Sequence, residues 1–402
     1  MNLLTRGFDR ALGIEGAGAL RALAYGLAEH RLQPMSPPNY FPTAEYVPLF
    51  DGSLVDTTDC PRIGDKDFPF PVQRSAPTRT PDTGAWLLPR ARWLSGIGGV
   101  TDGKHFVDGC LRYPLKYTPL KSVRWLGYPI QRVDGVCIGL EGDFAATHYH
   151  QLMDLLPRVA LLQHPYFQQF EQITLMSAQY AKSAELRYLV DALLPSNVRV
   201  LETAPNTLVE PDLLIMPVGV MDTWVSIPNR WYIDILRATF AKKRTTPPQR
   251  RIFISRAGAR ARKLVNEPEV VRALSKFDFE VIRTETLSVA QVIDLMSDVE
   301  IVVSLLGSGL ANALFCSPPT RMLEIASAAS WSIDYYGIAK GCDLGFATVE
   351  AGPQTSHVPR WHGHQHRMLP AAYYRRRDAD LIVDTDELCV AVDKLLDGST
   401  DA

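Results

Sequence analysis

From about residue 130 the apolar positions follow two regular patterns. Apolar runs of four or five residues, typical of buried strands, occupy positions 136–140, 173–176, 198–201 and 213–216. Between them, apolar residues recur every three or four positions, which predicts helices over roughly 148–164, 181–194 and 229–243. Because strands alternate with helices, we expect a parallel sheet and a first Rossmann-like unit.

The same alternation continues in the second part of the chain. Apolar runs predict strands over 251–255, 279–282, 300–304 and 321–325. Asn266 with Glu269, and Ser288 with Gln291, have the spacing of capping boxes and predict two helix starts. The pattern therefore predicts an α/β protein with two Rossmann-like domains that face a central cleft.

The first 130 residues lack this periodicity. Eleven of the 29 prolines lie between residues 34 and 89, so this segment should be extended and should wrap over a core built by other elements. Short apolar runs near 86–88 and 103–107 can add edge strands or a small antiparallel sheet. Residues 2–31 predict an amphipathic helix that packs on its own domain, with contact to a membrane surface as the alternative.

Domain boundaries follow from these patterns. We expect an N-terminal helix and Pro-rich segment over residues 1–130, packed on the N-terminal domain. An N-terminal Rossmann-like domain would span residues 131–245, and a C-terminal one residues 246–402.

Composition narrows the class of protein. A chain of 402 residues with 46% hydrophobic and 21% charged residues is typical of a globular protein with two cores. A net charge of only -2 argues against a nucleic-acid binder.

The six cysteines form no CxxC pair, which favours a reducing compartment. Without a long apolar run or a signal peptide, we expect a cytoplasmic protein, with peripheral contact to a membrane or to an assembly complex as an extension.

The positive charge is concentrated between residues 250 and 263, which contain six Arg or Lys and no acid. Arg256 follows a predicted strand, and the turn Gly307-Ser308-Gly309 follows another, so both should lie at the carboxyl edge of one sheet. Glycines alone also serve tight strand-to-helix turns, but the arginines favour a diphosphate site. The residues expected to bind a nucleotide donor are Arg256, Arg262, Lys263, Gly307, Ser308, Gly309, Leu310, Asn312 and Glu324.

A second group of polar residues lies on the predicted helix 148–164. On a continuous helix His150, Asp154 and Arg158 share one face, although Pro157 should kink the helix before Arg158. A histidine oriented by a carboxylate suits the removal of a proton from a hydroxyl, with a surface ion pair as the alternative. His148 is the competing base, and His148 and Arg158 are also candidate acceptor contacts.

The tract 361–366 contains three histidines separated by single residues. Metal binding at this spacing needs an extended strand, which Gly363 weakens. We therefore expect no metal site, and interpret the tract as a loop beside the nucleotide or the acceptor.

Several motifs in order give the chain a family resemblance, over roughly residues 135–330. They are HQLMDLLPR at 150–158, ISR at 254–256, RKLVNE at 262–267 and GSGLANALF at 307–315, followed by Glu324. On these motifs the chain resembles glycosyltransferase family 61, which includes plant β-1,2-xylosyltransferases, animal O-linked N-acetylglucosaminyltransferases and many bacterial polysaccharide enzymes.

The resemblance implies a GT-B fold and metal-independent, inverting transfer of a sugar to a hydroxyl of a glycan acceptor. It implies that the C-terminal domain binds a nucleotide-sugar donor, that His150 is the general base and that no cofactor is needed. The biological role implied is bacterial glycan synthesis, with a polysaccharide assembly complex as a further partner. A UDP-sugar is the leading donor, with a CMP-sugar or an inactive nucleotide-binding relative as alternatives. Two positions depart from the family pattern, since Thr147 replaces an Asn and Leu306 replaces a His.

Overall fold

The computed structural model describes residues 37–39, 41–59, 76–103, 106–107, 127–142, 145–220, 226–241, 246–327, 332–353 and 379–398. The predicted helix at 2–31 and the histidine tract at 361–366 lie outside these residues. The predicted domain boundary at 245 also falls in an undescribed segment.

The first of two large sheets contains nine strands among the described residues. They are β1 (Glu45–Phe50), β4 (Thr83–Pro89), β5 (Arg92–Leu94), β6 (Gly99–Thr101), β7 (Phe106–Val107), β8 (Ile130–Gly139), β9 (Ile173–Ser177), β10 (Val198–Glu202) and β11 (Leu208–Val218). Strands β10, β9, β8 and β11 are parallel, which confirms the predicted parallel arrangement. A separate two-stranded sheet pairs β2 (Leu54–Val55) antiparallel with β3 (Thr78–Arg79).

The Pro-rich segment does more than cover this sheet. Strand β4 pairs antiparallel with β11, and β1 pairs antiparallel with β4. Ala85 and Leu88 point to opposite faces of β4, and both are fully buried. The antiparallel strand expected near 86–88 is confirmed, but β4 lies between β1 and β11 and not at a sheet edge, because its residues are apolar on both faces.

Three helical elements accompany the parallel strands of the first sheet. The composite helix α1 (residues 148–163) is followed by α2 (Ala184–Leu193) and α3 (Arg230–Phe240). In α1, an α-helical turn at His148–His150 leads into a π-helical stretch at Gln151–Leu155, an α-helical stretch at Leu156–Ala160 and a 3-10 turn at Leu161–Gln163. A 3-10 helix at Pro165–Gln169 follows.

The π-helical stretch explains how α1 tolerates a proline. Pro157 lies in the first turn of Leu156–Ala160, where a missing backbone donor is least costly. The π-helical stretch ahead of it widens the helix by one residue per turn. The helix predicted over roughly 148–164 therefore forms, with a π-helical stretch directly ahead of the position where the sequence predicts a kink.

The second sheet has six strands in the order β13-β12-β14-β15-β16-β17. They are β12 (Arg250–Ile254), β13 (Phe279–Ile282), β14 (Val299–Leu305), β15 (Arg321–Ala326), β16 (Gly345–Pro353) and β17 (Leu381–Val383). All pairs are parallel except β16 with β17. The four predicted strands are confirmed, whereas β16 and β17 were missed because one is rich in small residues and the other is only three residues long.

The helices of this unit are α4 (Glu267–Leu274), α5 (Val289–Met296), α6 (Ile333–Gly341) and α7 (Thr385–Leu396), with a 3-10 helix at Ser308–Phe315. The capping box of Ser288 and Gln291 is confirmed at the start of α5. Asn266 is the N-cap residue of α4, so the predicted helix start is confirmed, but its side chain makes no cap hydrogen bond and the predicted capping box does not form. Its side chain instead exchanges two hydrogen bonds with the backbone of Val383 and ties α4 to β17.

The largest hydrophobic cluster is continuous between the two sheets. It contains Leu152 and Leu156 of α1 together with Leu306, Leu310 and Leu314 around the 3-10 helix Ser308–Phe315. The apolar stripe predicted for α1 is fully buried in this cluster, at Leu152, Leu155, Leu156, Val159 and Leu162. This packing brings the first turn of α1 next to the turn that follows β14.

Candidate functional site

The carboxyl ends of two neighbouring strands form one side of the site. Strands β12 and β14 pair in parallel, with Ile254 opposite Ser304, and the Ser304 hydroxyl donates to the Ile254 carbonyl at 2.8 Å. Arg256 follows β12 and the Gly307 turn follows β14. The sequence prediction that these two motifs meet at one sheet edge is confirmed.

The Arg256 guanidinium lies directly on the Gly307 turn. A Cβ atom at Gly307 would stand only 1.8 Å from Nη1 of Arg256, so a side chain there is incompatible with this position of Arg256. Arg256 donates from Nε to the Arg262 carbonyl and from Nη2 to the Ala261 carbonyl, each at 3.1 Å. The backbone of the basic loop thus holds the guanidinium in place.

Arg256 carries a positive charge with no carboxylate in ion-pair contact among the residues that the structure describes. Burial, and then the nearby Arg262, lower the pKa of Arg256 to about 10. The guanidinium is therefore still charged at neutral pH, but it is poorly solvated and has a charged neighbour of the same sign. Such a group favours an anion.

The rest of the basic loop is anchored to β17. The Lys263 amide donates to Asp380 at 2.9 Å, and its carbonyl accepts from the Leu381 amide at 2.8 Å. Arg262 has a φ of 58°, the left-handed conformation, which turns the chain between Arg256 and this anchor. Lys263 and Arg262 are half-buried.

The predicted donor contacts differ in accessibility. Ser308 and Gly309 are half-buried at the start of the 3-10 helix, whereas Leu310 is buried in the hydrophobic cluster. Asn312 is 2% exposed, and Glu324, opposite Ser304 on β15, is fully buried. Within the Gly307-Ser308-Gly309 turn, Ser308 and Gly309 are thus partly accessible, whereas Gly307, on which Arg256 lies, is buried.

His150 and Asp154 form the second part of the site. His150 Nδ1 and Asp154 Oδ2 are 2.6 Å apart, and the two side chains are 16% and 11% exposed. The predicted pairing of these residues is confirmed. Because Nδ1–H donates to the carboxylate, the neutral imidazole carries its lone pair on Nε2, the tautomer required of a base.

His148 contacts both halves of the molecule. Its Nε2 lies 2.7 Å from Oδ1 of Asn312, beyond the Gly307 turn, and its Nδ1 contacts the Glu185 carboxylate on α2. These contacts place the turn of α1 that carries His150 beside the element that carries the Gly turn. The two predicted motifs are therefore neighbours in space.

The family model for Glycosyltransferase 61 matches residues 148–323. This part of the chain belongs to glycosyltransferase family 61. The match includes the His150–Asp154 pair, Arg256 and the Gly307 turn, and ends one residue before Glu324. No match was found among curated proteins. The protein is therefore a glycosyltransferase, with a sugar donor and an acceptor as its substrates.

In the family 61 domain Arg158 is buried against the backbone of a neighbouring segment. It is 6% exposed and donates from Nη1 to the Glu141 carbonyl at 3.1 Å. Arg158 thus fastens α1 to the segment that follows β8.

Glu141 is a buried carboxylate that the sequence analysis missed. It is fully buried and accepts hydrogen bonds from the Gly96 and Ala178 amides, and from the Ser95 hydroxyl at 3.3 Å. Burial raises the pKa of Glu141 to about 7, although the two amide hydrogen bonds oppose this shift. No sequence signal marks it, because its donors come from two segments distant in sequence, Ser95–Gly96 and Ala178.

Two further residues of the glycosyltransferase were missed. Asp334, in the first turn of α6, accepts from Tyr149 at 3.0 Å and from Ser226 and Ser332. Tyr335 is buried beside the basic loop, and burial raises its pKa well above the usual range. The only sequence signal for this pair is that Asp334 lies two residues after a serine, Ser332, which is the N-cap of α6.

Two further findings on the described part of the chain concern metal ions and membranes. No cluster of three or more His, Cys, Asp or Glu side chains there has a geometry that would hold a metal ion. None of the described helices has the length and apolar character needed to cross a bilayer.

Proposed function

We propose that this glycosyltransferase transfers a sugar, with inversion, from a UDP-sugar to a hydroxyl of a glycan acceptor. In this proposal the second sheet binds the donor and the first sheet carries the base and the acceptor, as in a GT-B enzyme. The biological setting would be synthesis of a bacterial polysaccharide or other glycan.

The observation that carries the proposal is the position of Arg256. Its charge has no carboxylate partner among the described residues, and its guanidinium rests on a glycine turn at the carboxyl ends of β12 and β14. Ligands of open parallel sheets bind at this edge. A guanidinium beside backbone amides is a suitable site for a diphosphate, which carries two charges and many acceptor oxygens.

The acceptor side of the proposal rests on His150. Asp154 holds Nδ1–H, so Nε2 of the neutral ring can take a proton from the acceptor hydroxyl. The oxygen then attacks the anomeric carbon while the bond from that carbon to the diphosphate breaks. A single displacement of this kind inverts the anomeric centre.

In this proposal Arg256 and the amides of the Gly307-Ser308-Gly309 turn stabilise the leaving group. The negative charge that develops on the departing diphosphate would be met by the guanidinium and by the N–H groups at the start of Ser308–Phe315. These groups already supply positive charge, so we propose a reaction that needs neither a metal ion nor a cofactor.

A nucleotide screen tests the donor site. UDP, GDP and CMP, and then the corresponding sugars, are compared for thermal stabilisation of the wild-type protein. We expect UDP to stabilise the wild type and Arg256→Ala to lose this effect. Arg272→Ala is the matched control, because the Arg272 side chain is 69% exposed and forms a surface ion pair with Glu269 within α4. If no nucleotide stabilises the wild type, the donor-site proposal fails; stabilisation by CMP alone would replace UDP as the donor nucleotide.

A further inference from the structure

A chain of three polar side chains connects the two sheets at the Gly turn. Glu185, on α2, contacts Nδ1 of His148 at the start of α1. Nε2 of His148 then contacts Oδ1 of Asn312 at 2.7 Å, and Nδ2 of Asn312 donates to the Gly309 carbonyl at 2.9 Å. The Glu185–His148–Asn312 chain therefore ends on the backbone of the proposed diphosphate-binding turn.

The atoms of this chain have fixed donor and acceptor roles. Because the Asn312 amide nitrogen donates to Gly309, its oxygen is the atom that faces His148. The other ring nitrogen of His148 faces a carboxylate. Nε2 of His148 is therefore the donor to Asn312, while Nδ1 lies against the Glu185 carboxylate.

His148 and His150 differ in the contacts of their ring nitrogens. His150 donates from Nδ1 and keeps a lone pair on Nε2, whereas both nitrogens of His148 contact protein groups, Nε2 the Asn312 amide oxygen and Nδ1 the Glu185 carboxylate. A ring with both nitrogens so engaged is poorly suited to accept a proton from a substrate. It is well suited to hold its two partners at a fixed separation.

We infer that His148 is a positioning residue that holds the Gly307-Ser308-Gly309 turn, through Asn312, against the helix that carries His150. The inference rests on the proposed function only for the identity of the ligand at this turn. His148 keeps the turn amides aimed at the donor, and Glu185 fixes the ring that does so. Asn312 acts through the Gly309 carbonyl and not by contact with the donor.

Hydrogen exchange tests the inference without any substrate. His148→Ala removes the donor to the buried Asn312 oxygen, so the amides of Ser308–Phe315 should exchange about tenfold faster. His148→Gln offers a side-chain N–H for the same oxygen and should restore most of the protection. His164→Ala is the matched control, since His164 lies at the end of α1 and caps the next 3-10 helix. Unchanged exchange in His148→Ala, or equal acceleration in the control, would overturn the inference.

Binding of UDP, measured by calorimetry on the same variants, connects the turn to the donor. We expect His148→Ala to weaken UDP binding about tenfold and His148→Gln to recover most of it. A wild type that fails to bind UDP would contradict the proposed donor, while the exchange experiment would still decide the role of His148. If the wild type binds UDP and His148→Ala binds it equally tightly, the role of His148 is contradicted while the proposed donor stands.

Discussion

Asp154 accepts a hydrogen bond from Nδ1 of His150 at 2.6 Å, one turn further along α1. The contact spans the junction between the α-helical turn His148–His150 and the π-helical stretch that follows. Both side chains are mostly buried, so the pair is shielded from the solvent screening that makes exposed ion pairs weak. The pair is therefore preorganised before a substrate binds.

The first prediction concerns this pair. Asp154→Asn should lower kcat by about 10²- to 10⁴-fold, because an amide can donate to Nδ1 and place the ring in the wrong tautomer. Affinity for the donor nucleotide should change little, since Arg256 and the Gly turn are untouched. Steady-state kinetics and calorimetry check the two statements. Asp234→Asn, an exposed carboxylate on α3, is the control; a variant Asp154→Asn with wild-type kcat would exclude the pair from catalysis.

The second prediction concerns Gly307. Gly307→Ala should displace the Arg256 guanidinium, because the new Cβ would stand 1.8 Å from Nη1. Nucleotide affinity should fall by about 10- to 100-fold, as in Arg256→Ala, and the double variant should be no worse than either single one. Gly352→Ala is the control, where the nearest atom to a new Cβ is 4.0 Å away. Additive losses in the double variant would show that the two residues act separately.

The third prediction concerns Leu306, where the family usually has a histidine. Leu306 is 6% exposed and packs in the hydrophobic cluster. Leu306→His should therefore destabilise the protein by about 1–3 kcal/mol, because a polar ring would be buried without a ready partner. It should not increase transfer. Leu306→Met, which nearly conserves volume, should cost less than about 1.5 kcal/mol. Denaturant unfolding and a transfer assay decide; a stable, more active histidine variant would refute the prediction.

The fourth prediction concerns the pH dependence of stability. Burial raises the pKa of Glu141 from 4.5 to about 7, so the folded protein binds this proton more tightly than the unfolded chain. The stability that this proton contributes is complete below about pH 4.5 and is lost as the pH rises through about 7. At roughly 1.4 kcal/mol per pKa unit, the loss is about 3 kcal/mol.

Unfolding measured across this pH range checks the size and sign of the effect. The unfolding free energy of the wild type, relative to that of Glu141→Gln, should fall as the pH rises through about 7, because the amide does not titrate. Glu171→Gln removes an exposed carboxylate next to β9 and is the control. Parallel curves for wild type and Glu141→Gln would contradict the linkage.

Local patterns determined much of this protein. The periods of apolar residues fixed β8 to β15, the Leu stripe of α1 and the capping box at Ser288, because each depends on neighbours within one element. Motif order also indicated the family, and the parallel-sheet rule predicted that Arg256 and the Gly307 turn would meet.

The tertiary structure alone decided the contacts between elements. Several features depend on packing against distant segments: the π-helical stretch in α1, the hydrogen bond from Arg158 to the Glu141 carbonyl, the burial of Glu324 and the insertion of β4 into the first sheet. Glu185, His148 and Asn312 come from three elements separated by up to 164 residues, between His148 and Asn312. A sequence pattern records which side chains are available, whereas hydrogen bonds between them depend on distances that only the folded chain sets.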